Sequence, residues 1–292
     1  MGFGPESNAS PRERPQPAGD PQAFSATTLP PLSRPAARTT PAAGASRTGE
    51  RLALPLPQLF ITAPIPCPYL PDRAETKLVV DLSLKGAPLI YDDLSRRGFR
   101  RSHSFAYRPA CRGCTSCVPV RIAVSRFSHS RSTRRIANLN HDLSARVTAS
   151  RATIEQFRLF IAYQRRRHGD SEMAAMNFAD YRAMVEETPL ESHIVEFRDA
   201  SQSLAAAALI DRLDDGLSAV YSFYDPRREK QSLGIWSILW LVEECRRRAD
   251  PYVYLGYWIA ESAKMAYKSR FSGLERLAPG GWTRFDAAER GF

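Results

Sequence analysis

The chain has 292 residues, 43% of them hydrophobic and 25% charged, enough to bury one large core or two ordinary ones. It holds no run of about eighteen apolar residues that could span a membrane, and no short apolar core near its start of the kind that directs secretion, so a cytoplasmic protein with reduced thiols is expected. Its formal charge of +10 points to a polyanionic partner wherever that charge is concentrated.

The excess is local. Residues 1–50 carry five arginines against four acids, whereas Asp93 to Arg135 holds eleven arginines and one acid. Arginine on ordinary solvated faces would account for part of this. The one-sidedness favours phosphate contact, because soluble surfaces usually mix both signs.

Residues 1–52 are rich in Pro, Ala, Ser, Thr and Gly with scarcely any large apolar side chain, a composition that cannot offset its own ordering entropy and predicts a disordered extension. A basic, cysteine-containing α+β domain is expected over 53–145 and a second domain over 146–292. The proline-dense stretch from Phe60 to Arg73 reads as an extended loop presenting Cys67 and Tyr69. A strand is predicted from Thr76 to Leu84, and a short helix from Tyr91 that ends at Gly98.

Next comes Tyr107-Arg-Pro-Ala-Cys111-Arg-Gly-Cys114-Thr-Ser-Cys117, three cysteines at a strict interval of three. Repeated two-residue gaps let thiols turn toward one centre, so Cys67, Cys111, Cys114 and Cys117 are candidate ligands of a zinc ion or an iron–sulfur cluster. A triplet plus a distant single differs from the usual two pairs, and a turn-rich knuckle of small buried thiols fits the same residues. A β-rich stretch, Cys117 to Phe127, follows. Ser128 to Arg135 reads as a polar loop, either solvated or clamping a phosphate backbone.

Past residue 146 a helix capped by Thr153 carries Ile154, Phe157 and Ile161 as a stripe, with Arg165, Arg166, Arg167 and His168 at its C-terminal end. A second runs from Phe178 to Glu187, capped by Asn177. Three strands, His193–Arg198, Ser203–Leu213 and Leu217–Phe223, alternate with the turns at 199–202 and 214–216 as an antiparallel meander. A helix from Ser232 to Arg248, a strand from Tyr252 to Leu255, and a helix carrying Lys264, Tyr267 and Lys268 complete the order. Antiparallel strands, helix, strand and helix in this sequence are the core order of the acyltransferase (GNAT-like) fold, an α+β class with a mixed, antiparallel-rich sheet flanked by helices.

Coenzyme A-dependent members of that fold grip pyrophosphate with a Gln/Arg-x-x-Gly-x-Gly/Ala loop at a helix N-terminus. The nearest match is Gln231-Ser-Leu-Gly234-Ile-Trp236, where tryptophan replaces the last small residue. A coenzyme A-dependent N-acetyltransferase thus stays open but weakened, as does a non-catalytic RNA-binding protein built on the cysteines.

Several spaced motifs together carry a resemblance. They are Cys67-Pro-Tyr69-Leu70, Gly98-Phe-Arg-Arg, the cysteine triplet with Arg121, Ser130-Arg131 with Arg134-Arg135, Tyr221-Ser-Phe-Tyr224-Asp225-Pro226, Ser232-Leu-Gly234, Tyr254-Leu-Gly256-Tyr257-Trp258 and Lys264-Met-Ala-Tyr267-Lys268. From Gln58 to Trp282 this series resembles the bacterial aspartate/glutamate leucyltransferases, aminoacyl-tRNA-protein transferases of the N-end rule pathway related to eukaryotic arginyltransferases. The resemblance implies an enzyme that moves leucine, or arginine, from charged tRNA to proteins with N-terminal Asp or Glu, marking them for degradation. It implies no membrane, no DNA partner and no cofactor for the transfer. Gln231, Ile235-Trp236 and Phe271-Ser272-Gly273 depart from the expected pattern and leave pocket details open.

An aminoacyl ester is already activated, so such an enzyme must mainly position a neutral amine, pass on a proton and stabilise an oxyanion. Asp225, Tyr224 and Tyr221, where the meander meets the next helix, are the candidate catalytic groups, although Asp225 could equally be a turn-capping residue. Arg166, Arg167, His168, Lys264 and Lys268 are candidates for binding an acidic side chain, and the two lysines could equally bind the tRNA terminus. Tyr267 shares the helical spacing of the two lysines, Gly234 lies in the anion loop, and Tyr257 and Trp258 could stack the terminal adenine or pack as core. Arg100, Arg101, Arg131, Arg134 and Arg135 are the candidate tRNA contacts.

Overall fold

The structure, a computed structural model, describes residues 58–83, 86–169 and 171–285; the extension expected over 1–52 lies outside them. The first half begins with β1 (Leu59–Ile61), β2 (Ile65–Pro66), β3 (Ala74–Glu75) and β4 (Lys77–Asp81). Helix α1 (Ala87–Arg96) follows, then β5 (Arg100–Ser102) and β6 (Phe105–Pro109). Strands β1, β4, β6 and β5 form one antiparallel sheet in that order, and β2 pairs with β3.

The remaining strands are β7 (Val118–Ala123), β8 (Ser144–Ala149), β9 (Ser192–Arg198), β10 (Leu204–Leu213), β11 (Gly216–Tyr224), β12 (Tyr252–Trp258), β13 (Leu274–Ala278) and β14 (Gly281–Arg284). They make an eight-stranded sheet in the order β14-β13-β7-β12-β11-β10-β9-β8. Its pairs are antiparallel except β11 with β12. Strand β7, which follows the cysteine triplet, lies between β12 and β13, so residues on both sides of 146 build this sheet.

Period-two alternation sorts the large sheet's side chains between two helical layers. Ala206, Ala208 and Ile210 of β10 join Val195 and Phe197 of β9 in the core under α5 (Leu233–Arg248), while Ala207, Leu209 and Ile194 pack with Phe160 and Tyr181 on the opposite face. Those last two residues come from α3 (Ile154–Arg167) and α4 (Phe178–Glu186), and both helices begin with reciprocal capping boxes, Thr153 with Gln156 and Asn177 with Asp180. Each box satisfies amides that the first turn leaves without partners.

The smaller sheet and α1 share a third core, in which Val80, Leu82, Tyr91 and Ala106 meet Leu213 and Tyr254 of the large sheet. One local expectation is corrected. Residues 131–139 form helix α2 rather than a loop, capped by the Ser130 hydroxyl, which accepts from the Thr133 amide at 3.2 Å. Thr133 and Ile136 anchor the helix while Arg131, Arg134 and Arg135 stay exposed. The result is an α+β protein with a large, mostly antiparallel sheet flanked by helices. Among the described residues no helix is long and apolar enough to cross a membrane.

Candidate functional site

The parallel pair of the large sheet is short. β11 and β12 are in register only from Gly216–Ser218 against Tyr252–Tyr254; beyond that point the two strands part into a fork. Their carbonyls still need donors, since an unsatisfied polar group away from water is costly. On β11, the carbonyls of Ala219 and Val220 accept from Nη2 of Arg100 at 3.0 and 2.8 Å. On β12, those of Leu255 and Tyr257 accept from Nζ of Lys268 at 2.9 and 2.7 Å. Two basic side chains thus complete the lips of the fork.

Arg100 reaches this position because residue 256 is glycine. Gly256 has φ +72°, and a β-carbon there would lie 2.6 Å from Cδ of Arg100 and closer still to its guanidinium. Glycine inside a strand often marks such an approach. Among the described residues neither Arg100 nor Lys268 has a carboxylate partner. Burial, then the charge of Arg100, pulls the Lys268 pKa well below the ordinary lysine value.

Phenols surround the fork. Tyr69, Tyr107 and Tyr257 all lie within electrostatic reach of Arg100. Burial, then the neighbouring Tyr107, pushes the Tyr69 phenol up to about 12, and burial with Tyr163 does the same for Tyr267. These hydroxyls therefore stay protonated donors at neutral pH. On the α3 side, the buried Gln164 donates to the Tyr221 hydroxyl at 2.6 Å, and Tyr224 meets Tyr163 edge-on at 4.9 Å. Gly234, in the first turn of α5, lies against this ring; a β-carbon there would touch Tyr224 at an ordinary 3.5 Å.

Asp225 borders the same group but is committed to structure. Its carboxylate accepts from the Arg227 amide at 2.9 Å and from the Arg227 guanidinium, capping the 3₁₀ turn Pro226–Gln231. Burial raises its pKa, but the Arg227 hydrogen bonds and the charges of Arg227 and Arg228 outweigh this and hold it below the usual carboxylate value. It stays ionised in the neutral range, which suits a cap better than a proton acceptor.

A solvated basic rim lies at the end of α3. Arg166 is exposed, Arg167 pairs at 3.4 Å with Glu229, and His168 meets Tyr163 edge-on. Burial, then the charges of Lys264 and Arg167, lowers the His168 pKa and favours its neutral ring, which puts those two cations in its neighbourhood. Lys264 does not share a helical face with Lys268, as their spacing had implied. The segment runs through turns into a 3₁₀ helix, Ala266–Arg270, leaving Lys264 exposed and Lys268 buried.

Other expected sites move. Arg100 fills the fork rather than facing a phosphate, and Arg101 is sealed in a two-pronged ion pair with Asp211 at 2.8 and 2.9 Å, with side-chain exposures of 1% and 0%. Tyr257 is buried with its hydroxyl against the carbonyls of Gly98 and Tyr107, and Trp258 packs edge-on against Phe285 at 4.8 Å. Neither ring is presented to a base. Trp236 is only 1% exposed; it points into the core and leaves the anion loop unobstructed. Arg131, Arg134 and Arg135 do face solvent, on α2.

The four cysteines gather beside the phenols. Burial, then the neighbouring thiols of Cys67, Cys111 and Cys114, pushes the Cys117 thiol up to about 12. Cys111 accepts from the Thr76 amide at 3.4 Å and Cys114 from Arg73 at 3.3 Å. Among the described residues, however, no group of three or more His, Cys, Asp or Glu side chains is arranged to hold a metal ion.

Local sequence patterns had missed Gln164, which fixes Tyr221, and the role of Arg100. The available signal for the latter was Gly256, interrupting an otherwise bulky strand.

Comparison with known proteins agrees along the chain. The family model described as "Arginine-tRNA-protein transferase, N terminus" matches residues 65–135, and the one described as "Arginine-tRNA-protein transferase, C terminus" matches residues 155–278. An aspartate/glutamate leucyltransferase of Paramagnetospirillum magneticum is 54% identical over 226 residues, covering 77% of this chain and 93% of that one. Its counterpart in Rhodospirillum rubrum is 54% identical over 233 residues, covering 80% and 94%, and that of Caulobacter vibrioides 47% over 239 residues, covering 80% and 86%. Among solved structures, L-PGS from Bacillus licheniformis overlaps 49% of this chain and 47% of its own, with a TM-score of 0.36 and 9% identity. With both terminal models matched in order, and about half the aligned residues shared with curated leucyltransferases along most of their length, this chain belongs to the arginine-tRNA-protein transferase family.

Proposed function

We infer that the protein is an aminoacyl-tRNA-protein transferase that moves leucine from leucyl-tRNA to the α-amino group of proteins beginning with Asp or Glu. It would act in the cytoplasm and mark those proteins for degradation by the N-end rule. The names of its relatives supply the donor and acceptor classes. The observation that carries the reading is the fork between β11 and β12, which is closed by the chain's own Arg100 and Lys268. In a GNAT-like core that opening would receive the thiol arm of coenzyme A. With the fork filled in this way, the donor in this reading comes to the site from its mouth, as an ester on the end of an RNA would.

The chemistry asks little of the protein. An N-terminal amine has a reference pKa of about 7.7 to 8.0, so a useful fraction is neutral near pH 7 without a strong base. Its nitrogen attacks the ester carbonyl, the bond to the tRNA 3′-terminal oxygen breaks, and the amine proton passes to that oxygen. Tyr221, held by Gln164, and Tyr224, packed edge-on against Tyr163, bring the hydroxyls on the β11 side that can donate to the oxyanion or relay the proton. Asp225 fixes the turn that brings β11 to α5. The exposed arginines of α2 and the rim of Arg166, Arg167 and Lys264 supply positive charge for the RNA. The ester brings its own activation, so no cofactor enters the transfer.

The test offers labelled leucyl-tRNA and arginyl-tRNA to peptides beginning with Asp, Glu and Lys. Leucine should label the first two and not the third. Failure to label an acidic N-terminus with either donor would reject the enzyme.

A further inference from the structure

The end of α1 borders a small cavity against the fork. About 10 Å³ in volume, it is lined by Ser95 and Gly98, by Arg100 and Gly256, and by Tyr254 and Trp282 among others. That is room for one particle about the size of a water, and too little for a carboxylate or a phosphate. Its wall offers donors. The Ser95 hydroxyl, on a residue only 3% exposed, makes no hydrogen bond within the protein, and neither does the Tyr91 hydroxyl one turn earlier, near as the two are. Nη1 of Arg100 is the atom nearest to where a β-carbon of Gly256 would lie, and it too lacks an acceptor among the described residues. The carbonyls at the end of α1 are already taken: that of Leu94 by the amides of Arg97 and Phe99, Ser95 by Gly98, Arg96 by the Trp282 indole, and Gly98 by the Tyr257 hydroxyl. Asp215, which accepts from the Tyr254 hydroxyl at 2.9 Å, is paired with Arg96.

We propose that this cavity binds a single monatomic anion, of which chloride is the common example, between the Arg100 guanidinium and the Ser95 hydroxyl. Arg100 has no carboxylate to balance its charge, and a cation taken from water without a counter-ion is unfavourable. One donor from each side chain is enough for an ion that is a single atom. Chloride only accepts, which matches what the two groups offer. A water is the poorer occupant, because with the carbonyls at the end of α1 engaged the Ser95 oxygen is left to receive one of its two hydrogens and the other goes without. The partly negative C-terminal end of α1 opposes an anion, but the amides and hydroxyl that bind its carbonyls offset that charge. The space excludes the carboxylate of a substrate, so the site is independent of the transfer reaction.

Two measurements on the full chain test this, and neither needs tRNA. Crystals held in sodium bromide and measured at the bromine absorption edge should show an anomalous peak in the cavity, in contact with Arg100 and Ser95. Density there without anomalous signal is a water and overturns the proposal. Bromide found on exposed arginines but not in the cavity, an adventitious ion only, overturns it as well. In solution, thermal unfolding is followed as sodium chloride replaces sodium gluconate at constant ionic strength. The wild-type midpoint should rise with chloride and then level off, as binding to the folded state alone requires. Ser95→Ala should raise the chloride concentration at half effect about 10-fold, the loss of one hydrogen bond to a charged group, and Arg100→Gln should abolish the response. A wild type that unfolds alike in both salts overturns the proposal, as does a folded Arg100→Gln or Ser95→Ala variant with the wild-type response. If Arg100→Gln does not fold, Ser95→Ala and the bromide peak decide.

Discussion

Gly256 has no side chain because Arg100 occupies the space where one would begin. A β-carbon there would press into the guanidinium, and the backbone sits at φ +72°, which side chains disfavour. Gly256→Ala should therefore displace Arg100 from the carbonyls of Ala219 and Val220. Chemical denaturation should show a loss of about 2 kcal/mol or more, and transfer to acidic peptides should fall more steeply than that loss of stability explains. A variant with wild-type stability and activity would mean that the fork can close without Arg100.

The pair formed by Arg101 and Asp211 is structural. Arg101→Met leaves the Asp211 carboxylate buried with Ser192 as its remaining side-chain partner, which should cost about 3–5 kcal/mol. Replacing both members, as Arg101→Met with Asp211→Leu, should cost much less than the sum of the single changes. Urea midpoints of the three variants measure this. The salt dependence of tRNA binding should not change in any that fold.

Removing charge from α2 should do the opposite. Arg134→Ala with Arg135→Ala takes two exposed guanidinia from a helix anchored by Thr133 and Ile136, so stability should move by less than about 0.5 kcal/mol. The slope of log affinity for tRNA against log salt should flatten by about 1 to 2. Unchanged affinity and slope would place the RNA on another face.

Lys268 gives a pH dependence of known sign. Its folded pKa lies well below the unfolded value of about 10.4, so between those two values the unfolded chain binds the extra proton. Stability gains with rising pH through that window and is penalised below it. Lys268→Met removes the titration along with the hydrogen bonds to Leu255 and Tyr257. Relative to this variant, the wild type should become more stable as pH rises toward 10 in urea titrations. A constant difference would show that Lys268 titrates alike in both states.

Most of the second half was legible because its signals are local. The meander of β9, β10 and β11 is punctuated by Asp199–Gln202 and by Asp214-Asp215-Gly216, and the caps at Thr153 and Asn177 announce α3 and α4. Helix α2 was hidden because only Thr133 and Ile136 of its nine residues are buried, so its polar face dominated the pattern. The arginine run marked a basic half without telling which members are sealed. Arg100 and Arg101 are successive residues of one strand, yet one enters the fork and the other meets Asp211, a distinction that depends on β11 and β10 more than a hundred residues away. Spacing likewise grouped Lys264, Tyr267 and Lys268 on one helical face, where Lys264 instead lies in turns ahead of the 3₁₀ helix that carries the other two. The family resemblance identified the reaction class before any of these placements was visible.

Strand β7 lies between β12 and β13, so its two neighbours are made some 130 and 150 residues after it. During synthesis Val118–Ala123 leaves the ribosome early and must stay unpaired on both edges until almost the whole chain has emerged. Such distant closure slows folding and leaves a bare β edge open to wrong partners in the meantime. The nascent enzyme is thus most vulnerable to aggregation and to cellular proteases just before the segment that supplies Lys268 is translated, and a chain truncated there would lack both the seam that joins its halves and the completed fork.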